Sequence, residues 1–251
     1  MRKSIFSGFF IASISILTLL QSCKDDSYLL EPPPVPDQSF VEEFDTAQNA
    51  YNRGWRFINR SESVGRSDWK NPDALTGIPF ISWSGTGNGY IWADYQSTSA
   101  ASATISNWAV SPEITLQNGD KIIFYTRTEL YSLGGGDSTD YVNRMQVRLN
   151  KTTSLNCGDG LDPGDFKTIL LDINPHYYEF RTLAFNNPSN PLYQEARQAY
   201  PPVWTRFETS ISGLKEPTKG RFAFRYFTEG AGSNGRGSSI GIDSVAYVGK
   251  Q

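Results

Sequence analysis

Arg144-Met145-Gln146-Val147-Arg148-Leu149-Asn150 alternates polar and apolar residues without a break. Successive strand side chains point to opposite faces, so Met145, Val147 and Leu149 fall together and the segment reads as a β-strand with an inward face. The same period of two returns in Lys219–Phe227, where Phe222, Phe224 and Tyr226 share one face and Arg221 and Arg225 the other. Working outward, Lys121–Thr128 follows a hairpin-type turn at Asn118-Gly119 and reads as a buried strand. Phe40–Phe44, Trp55–Asn59, Tyr90–Ala93, Thr104–Ser111, Phe166–Ile173, Trp204–Ile211 and Ser239–Val248 have strand composition between loops rich in Gly, Asn, Ser and Pro. Only Tyr193–Ala199, stopped by Pro201-Pro202, suggests a helical turn or two. About ten strands without strand–helix alternation predict an all-β protein, a jelly-roll β-sandwich, in a single domain over 39–251.

Composition narrows the function classes. The 251 residues carry 26 acidic against 23 basic side chains, a net charge of −3. A leader that took Arg2 and Lys3 away would leave the remainder more acidic still. Phosphate contacts need a basic surface, so nucleic acid is not an expected partner. His176 is the one histidine, which removes paired-histidine metal motifs and disfavours a histidine-dependent triad. With Cys23 and Cys157 alone, no disulfide framework can form.

The N-terminus reads as an address. Arg2-Lys3 precedes an apolar run from Ile5 to Leu20, and Leu20-Gln21-Ser22-Cys23 follows. The run is short for a membrane span and fits a signal-peptide core. The end of that run resembles the bacterial lipobox, which implies cleavage after residue 22 and acylation of Cys23. An acylated Cys23 would tie the chain to outer-membrane lipid, since several buried acyl chains anchor stably. Lys24-Asp25-Asp26 resembles the acidic tag that sends lipoproteins to the outer face of the outer membrane, so display toward the cell exterior is expected. Residues 23–38, with Pro32-Pro33-Pro34 and Pro36, read as a stiff extended stalk.

Within 40–248 several motifs occur in order. Phe40-Val41-Glu42-Glu43-Phe44-Asp45 precedes Gly54-Trp55-Arg56-Phe57-Ile58-Asn59, then Ser106-Asn107-Trp108-Ala109-Val110-Ser111-Pro112 and Phe124-Tyr125-Thr126-Arg127-Thr128. Gly164-Asp165-Phe166, Gly220-Arg221-Phe222-Ala223-Phe224-Arg225-Tyr226 and Ile240-Gly241-Ile242-Asp243-Ser244-Val245 complete the set. In this order they resemble the choice-of-anchor J family, related to cleaved-adhesin and MAM-type jelly rolls. The resemblance implies a monomeric extracellular domain that binds glycan or a surface protein, or serves as an accessory, without catalysis. It also implies a structural Ca²⁺ where the terminal strands meet. Glu43 and Asp243, with Asp45 third, are the expected ligands, because calcium takes six to eight oxygens. Glu42 points to the opposite face.

Trp55 and Trp108 fall in strand motifs and are expected in the core. Trp69, Trp83, Tyr90 and Trp92 lie in or near the Gly/Ser/Asn-rich stretch 82–92; each ring either packs its loop onto the sandwich or, for at least one of them, contributes to a sugar-binding platform. A flat ring offers a large apolar face at low entropy cost. Gly85, Gly87, Gly89 and Gly134-Gly135-Gly136 lack the residues and context of a phosphate loop and read as flexible loops. Glu113, Glu129 and Glu208 are the carboxylates a glycosidase would have to pair, and nothing in their spacing brings two together. Cys157 reads as an inert thiol. Asp45-Thr46-Ala47, Asp137-Ser138-Thr139 and Asp243-Ser244-Val245 resemble an O-glycosylation acceptor pattern, with Ser138 the most accessible by its neighbouring glycines.

Overall fold

A computed structural model describes residues 34–73, 75, 77–85 and 87–250. The signal segment, Cys23 and most of the Pro-rich stalk lie outside the described residues. From Pro36 onward the chain forms one compact unit.

In chain order the described elements are β1 (Phe40–Glu42), α1 (Ala47–Asn52), β2 (Arg56–Asn59), β3 (Ile91–Asp94), β4 (Ala103–Val110), β5 (Ile114–Leu116) and β6 (Lys121–Thr128). Then come β7 (Tyr131–Gly134), β8 (Asp137–Thr139), β9 (Met145–Asn150), β10 (Thr168–Ile173), α2 (Thr182–Phe185), α3 (Tyr193–Gln198), β11 (Thr205–Ser210), β12 (Thr218–Ala231) and β13 (Ser239–Val248). All named strand pairs are antiparallel. One sheet runs β1-β13-β6-β11, with β3 also on β13; the other runs β10-β9-β12-β4-β2, with β5 on β12. This is the expected all-β sandwich.

The alternation in the two deciding segments is what joins the sheets. Phe222, Phe224 and Tyr226 of β12 and Met145, Val147 and Leu149 of β9 face Ile122 and Phe124 of β6 and Ile240 and Ile242 of β13 in one core cluster. Phe124 meets Phe224 edge-on at 4.8 Å, and Trp55 sits against Phe44, Phe222 and Phe224 at 5.0, 5.8 and 6.4 Å. A fully buried ring of this size contributes about 1.5–3 kcal/mol over an exposed one.

The outer face of the second sheet is also covered. Trp108, Val110, Cys157, Phe166 and Ala223 form a satellite cluster beneath the 151–167 segment. Arg225, on the face opposite Phe222, Phe224 and Tyr226, is consequently fully buried. Its guanidinium lies between the Trp108 and Phe227 rings, at 4.7 and 4.0 Å, and donates to Ser106 Oγ at 3.0 Å and to the Gly160 carbonyl. Burial without a carboxylate partner pushes it down to about 9.

The structure adds β5, β7 and β8, which the sequence pattern misses, and two helical turns, α1 and α2. Helix α1 begins at Thr46, whose side-chain oxygen accepts from Asn49 N. Gly134, Gly135 and Gly136 all have positive φ and form the tight β7–β8 hairpin turn, where flexible loop had been expected.

Candidate functional site

The terminal strands meet as expected: Phe40 pairs Tyr247 and Glu42 pairs Val245. The first strand ends just before Glu43, and the last shifts register just after Asp243. Strand β13 bulges between Asp243 and Ala246, with Ser244 at φ 50°, and Phe44 just after β1 has φ 53°. The Asn71 amide holds that bend by donating to Phe44 O at 2.7 Å and Tyr90 O at 2.9 Å, while its oxygen accepts from Ala47 N. Glu43 thus lies just past the end of β1, while Asp243 keeps its place in β13 opposite Tyr125, immediately before the bulge.

Asp243 is fully buried. Its Oδ2 accepts from Trp83 N at 2.7 Å and Ser84 N at 3.1 Å, and its Oδ1 is buried without a partner. Glu43 Oε2 is likewise buried and unpartnered, while Oε1 accepts from Ser244 Oγ at 3.4 Å. Burial, with the Glu43 charge adding to it, pushes Asp243 up to about 6 against the pull of the backbone N–H groups. Asp45 is exposed, and its Oδ1 would stand 2.9 Å from a Cβ on Gly85. Asp243 and Asp45 therefore border the 83–85 turn, and Glu43 stands beside Ser244, the residue after Asp243. Among the described residues no three His, Cys, Asp or Glu side chains make a ready cage. Two orphaned carboxylate oxygens nevertheless fit a hard cation whose other ligands are carbonyls and water. Glu42 is buried on the opposite side, as expected, in a bidentate pair with Arg53.

The aromatic candidates separate. Trp69, Tyr90 and Trp92 are buried, which removes them as candidates for the sugar platform and gives them the packing role instead. Tyr90 stacks on Phe80 at 4.8 Å, and its hydroxyl donates to Phe80 O at 2.7 Å. Trp92 belongs to the same small cluster with Phe80 and Trp204 on the outer face of the first sheet. Trp83 differs: it is 50% exposed, and its ring stacks on Tyr125 at 4.2 Å and 16°. Tyr125 pairs with Asp243 across β6 and β13. The carboxylate that bonds the Trp83 backbone thus stands beside the ring that backs its side chain. No sequence signal told Trp83 from its neighbours, because the stacking partner lies some forty positions away on another strand.

The remaining candidates are engaged elsewhere. Glu113 pairs Lys219 at 3.1 Å, and Glu208 pairs Lys121 at 2.9 Å and Arg206 at 2.7 Å. Glu129 accepts from Tyr131 at 2.7 Å and Ser239 at 2.9 Å. The Ser138 hydroxyl is half-buried and bonded to Thr182 Oγ1, so it is less accessible than its glycine neighbours suggested. Cys157 is buried and burial pushes its thiol up to about 12, matching an inert role.

No protein-family model matches the chain, and no curated protein matches it. Among solved structures it is similar to the K1 cleaved adhesin domain of Lys-gingipain from Porphyromonas gingivalis W83, with TM-score 0.45, 17% identity, and coverage of 85% of this chain and 99% of that one. It is similar to the K3 cleaved adhesin domain of the same protein, with TM-score 0.48, 16% identity, and coverage of 83% and 98%. It is also similar to the family 11 carbohydrate-binding module from Clostridium thermocellum, with TM-score 0.37, 11% identity, and coverage of 86% and 98%. By its own strand pairing, the described body is an antiparallel β-sandwich.

Proposed function

We propose that this chain is a non-catalytic surface lipoprotein of the choice-of-anchor J type that binds glycan through Trp83. The observation that carries the reading is the indole itself, half-exposed while fixed on both sides of its attachment. Tyr125 backs the ring and Asp243 holds the backbone. A platform ordered before binding loses little entropy when a sugar face stacks on it. Calcium held by Glu43 and Asp243, with Asp45 at the exposed side, would neutralise the buried carboxylates and keep the 83–85 turn in place. Acylated Cys23 and the Pro-rich stalk would carry the monomeric domain on the outer face of the outer membrane.

A protein partner is the second reading, as for an assembly component of a surface complex. It is favoured by Leu75, Ile78 and Ile81, exposed in the segment leading to Trp83. A glycan array with the full chain in detergent, run with calcium and with chelator, separates the two. Calcium-dependent binding that Trp83→Ala removes, with the fold intact by circular dichroism, supports the glycan reading. Silence in both conditions, with membrane partners captured by crosslinking on cells, replaces it with the second.

A further inference from the structure

A groove of about 770 Å³ opens where β10 and β11, the outer strands of the two sheets, come together. Thr209 Oγ1 closes one end by donating to Leu170 O at 3.0 Å. Beyond it the groove is lined by the rings of His176, Tyr178, Phe185 and Phe207 and by Arg197. The volume lies within the roughly 300–1,000 Å³ of small-ligand sites.

Its polar groups are held in place and left unused. The segment carrying His176 and Tyr178 contains two non-glycine residues in the left-handed region, Asn174 at φ 59° before His176 and Tyr177 at φ 58° between the two rings. Such conformations persist where the surroundings over-determine them. Asn174 Nδ2 donates to Asn143 O at 2.9 Å and to Tyr178 O at 2.8 Å, and its Oδ1 accepts from Tyr178 N at 2.8 Å. The Tyr177 hydroxyl accepts from Arg144 Nη1 at 3.0 Å and donates to Glu229 Oε2 at 3.1 Å. His176 and Tyr178 lie 5.7 Å apart, ring to ring, and neither side-chain head has a hydrogen-bond partner among the described residues.

Arg197 is the groove's free cation. It lies over the Phe185 ring at 5.1 Å and the Tyr193 ring at 5.7 Å, with no carboxylate opposite it among the described residues. The groove's own carboxylate, Asp172, is saturated by Arg144 at 2.9 and 2.7 Å and by Gln146 at 2.8 Å. In a chain of net charge −3, an unpaired planar guanidinium in an aromatic groove selects for a carboxylate.

The rim is unsuited to a peptide added as a strand. Pro175, Pro201 and Pro202 line it without N–H groups. The carbonyls of Pro201 and Pro202 already accept from Thr128 N at 2.9 Å and Arg127 Nη2 at 2.8 Å. Recognition must therefore run through rings, hydroxyls and the cation.

We propose that this groove binds an oligosaccharide bearing a carboxylate, with a uronate on the Arg197 fork, hydroxyls at Tyr178 and His176, and sugar faces on the rings. The site is separate from Trp83 and stands whether or not that platform binds sugar. The test is calorimetric titration of the full chain in detergent with trigalacturonate, its methyl ester and tetraglutamate. Trigalacturonate should bind, and the neutral ester should bind at least about tenfold more weakly, the scale of one charge-assisted contact. Arg197→Ala should reproduce that loss, Arg197→Lys should recover part of it, and Tyr178→Phe should weaken binding several-fold. Arg197 is exposed, and an unchanged melting curve keeps its variants interpretable. Trp83→Ala should leave this binding intact, so failure here and failure of the Trp83 platform remain distinct. Absence of trigalacturonate binding, equal binding by Arg197→Ala, or binding of tetraglutamate alone overturns the assignment.

Discussion

Replacing Asp243 by asparagine should stabilise the metal-free protein and abolish its response to calcium. The carboxyl is fully buried, its Oδ1 is unpartnered, and it is pushed from 3.8 up to about 6. The folded state therefore holds this proton more tightly than the unfolded chain does. The group's contribution is most favourable below pH 3.8 and is lost as pH rises through about 6. At about 1.36 kcal/mol per unit, the ionised carboxylate costs the metal-free fold about 3 kcal/mol at neutral pH. Asparagine keeps an oxygen for the Trp83 and Ser84 N–H groups and brings no charge to desolvate. For a domain of this size, about 3 kcal/mol corresponds to a rise in Tm of about 6–12 °C. The assay is thermal melting in chelator at pH 7 and again near pH 4, where the difference should vanish, and then in excess calcium. Calcium should raise the Tm of the parent chain, since a ligand that binds only the folded state stabilises it, and should leave Asp243→Asn unmoved. A variant melting at or below the parent in chelator at pH 7 would refute the desolvation argument. A parent chain indifferent to calcium would refute the metal site.

Two further outcomes follow from packing. Cys157, buried with its thiol pushed up to about 12, should resist iodoacetamide at pH 8 in the native protein, where thiolate is on the order of one part in ten thousand, and react once urea unfolds the chain; prompt native labelling would contradict this. Gly241→Ala places a Cβ 2.6 Å from the Phe80 ring and 3.2 Å from Trp204. The overpacked cluster should lose about 1–3 kcal/mol and shift tryptophan fluorescence to the red, and an unchanged melt would show that the cover segment moves freely.

The core was readable because a strand's period of two is written residue by residue. Met145, Val147, Leu149, Phe222, Phe224 and Tyr226 all point where alternation put them. The opposite face of those same strands is covered as well, which alternation does not tell. All six residues of β9 are buried, Arg148 among them, because the 151–167 segment folds back over the sheet. Alternation tells which residues share a face, and it is silent on whether a distant loop covers the other one. The short strands β5, β7 and β8 escaped for a related reason: at three or four residues they carry too little pattern.

The candidate sites divide along the same line. Composition made nucleic-acid binding and paired-histidine metal chemistry poor fits, and the family resemblance implied that carboxylates beside the first strand and within the last would meet. Local chemistry also suggested a helical turn or two over Tyr193–Ala199, ended by the prolines that follow, and α3 spans Tyr193–Gln198. Which aromatic ring faces solvent was settled by tertiary packing alone. Trp69, Tyr90 and Trp92 are aromatic like Trp83 and lie in or near the same stretch, yet only Trp83 lands on Tyr125 with its own face open. The edge groove, too, exists only once β10 and β11 are brought together from opposite sheets. Periodicity and composition are properties of neighbours along the chain, and they determined the sandwich and its inward faces. Exposure and convergence depend on contacts between residues far apart in sequence, and those arise only when the two sheets and their covering loops close on one another.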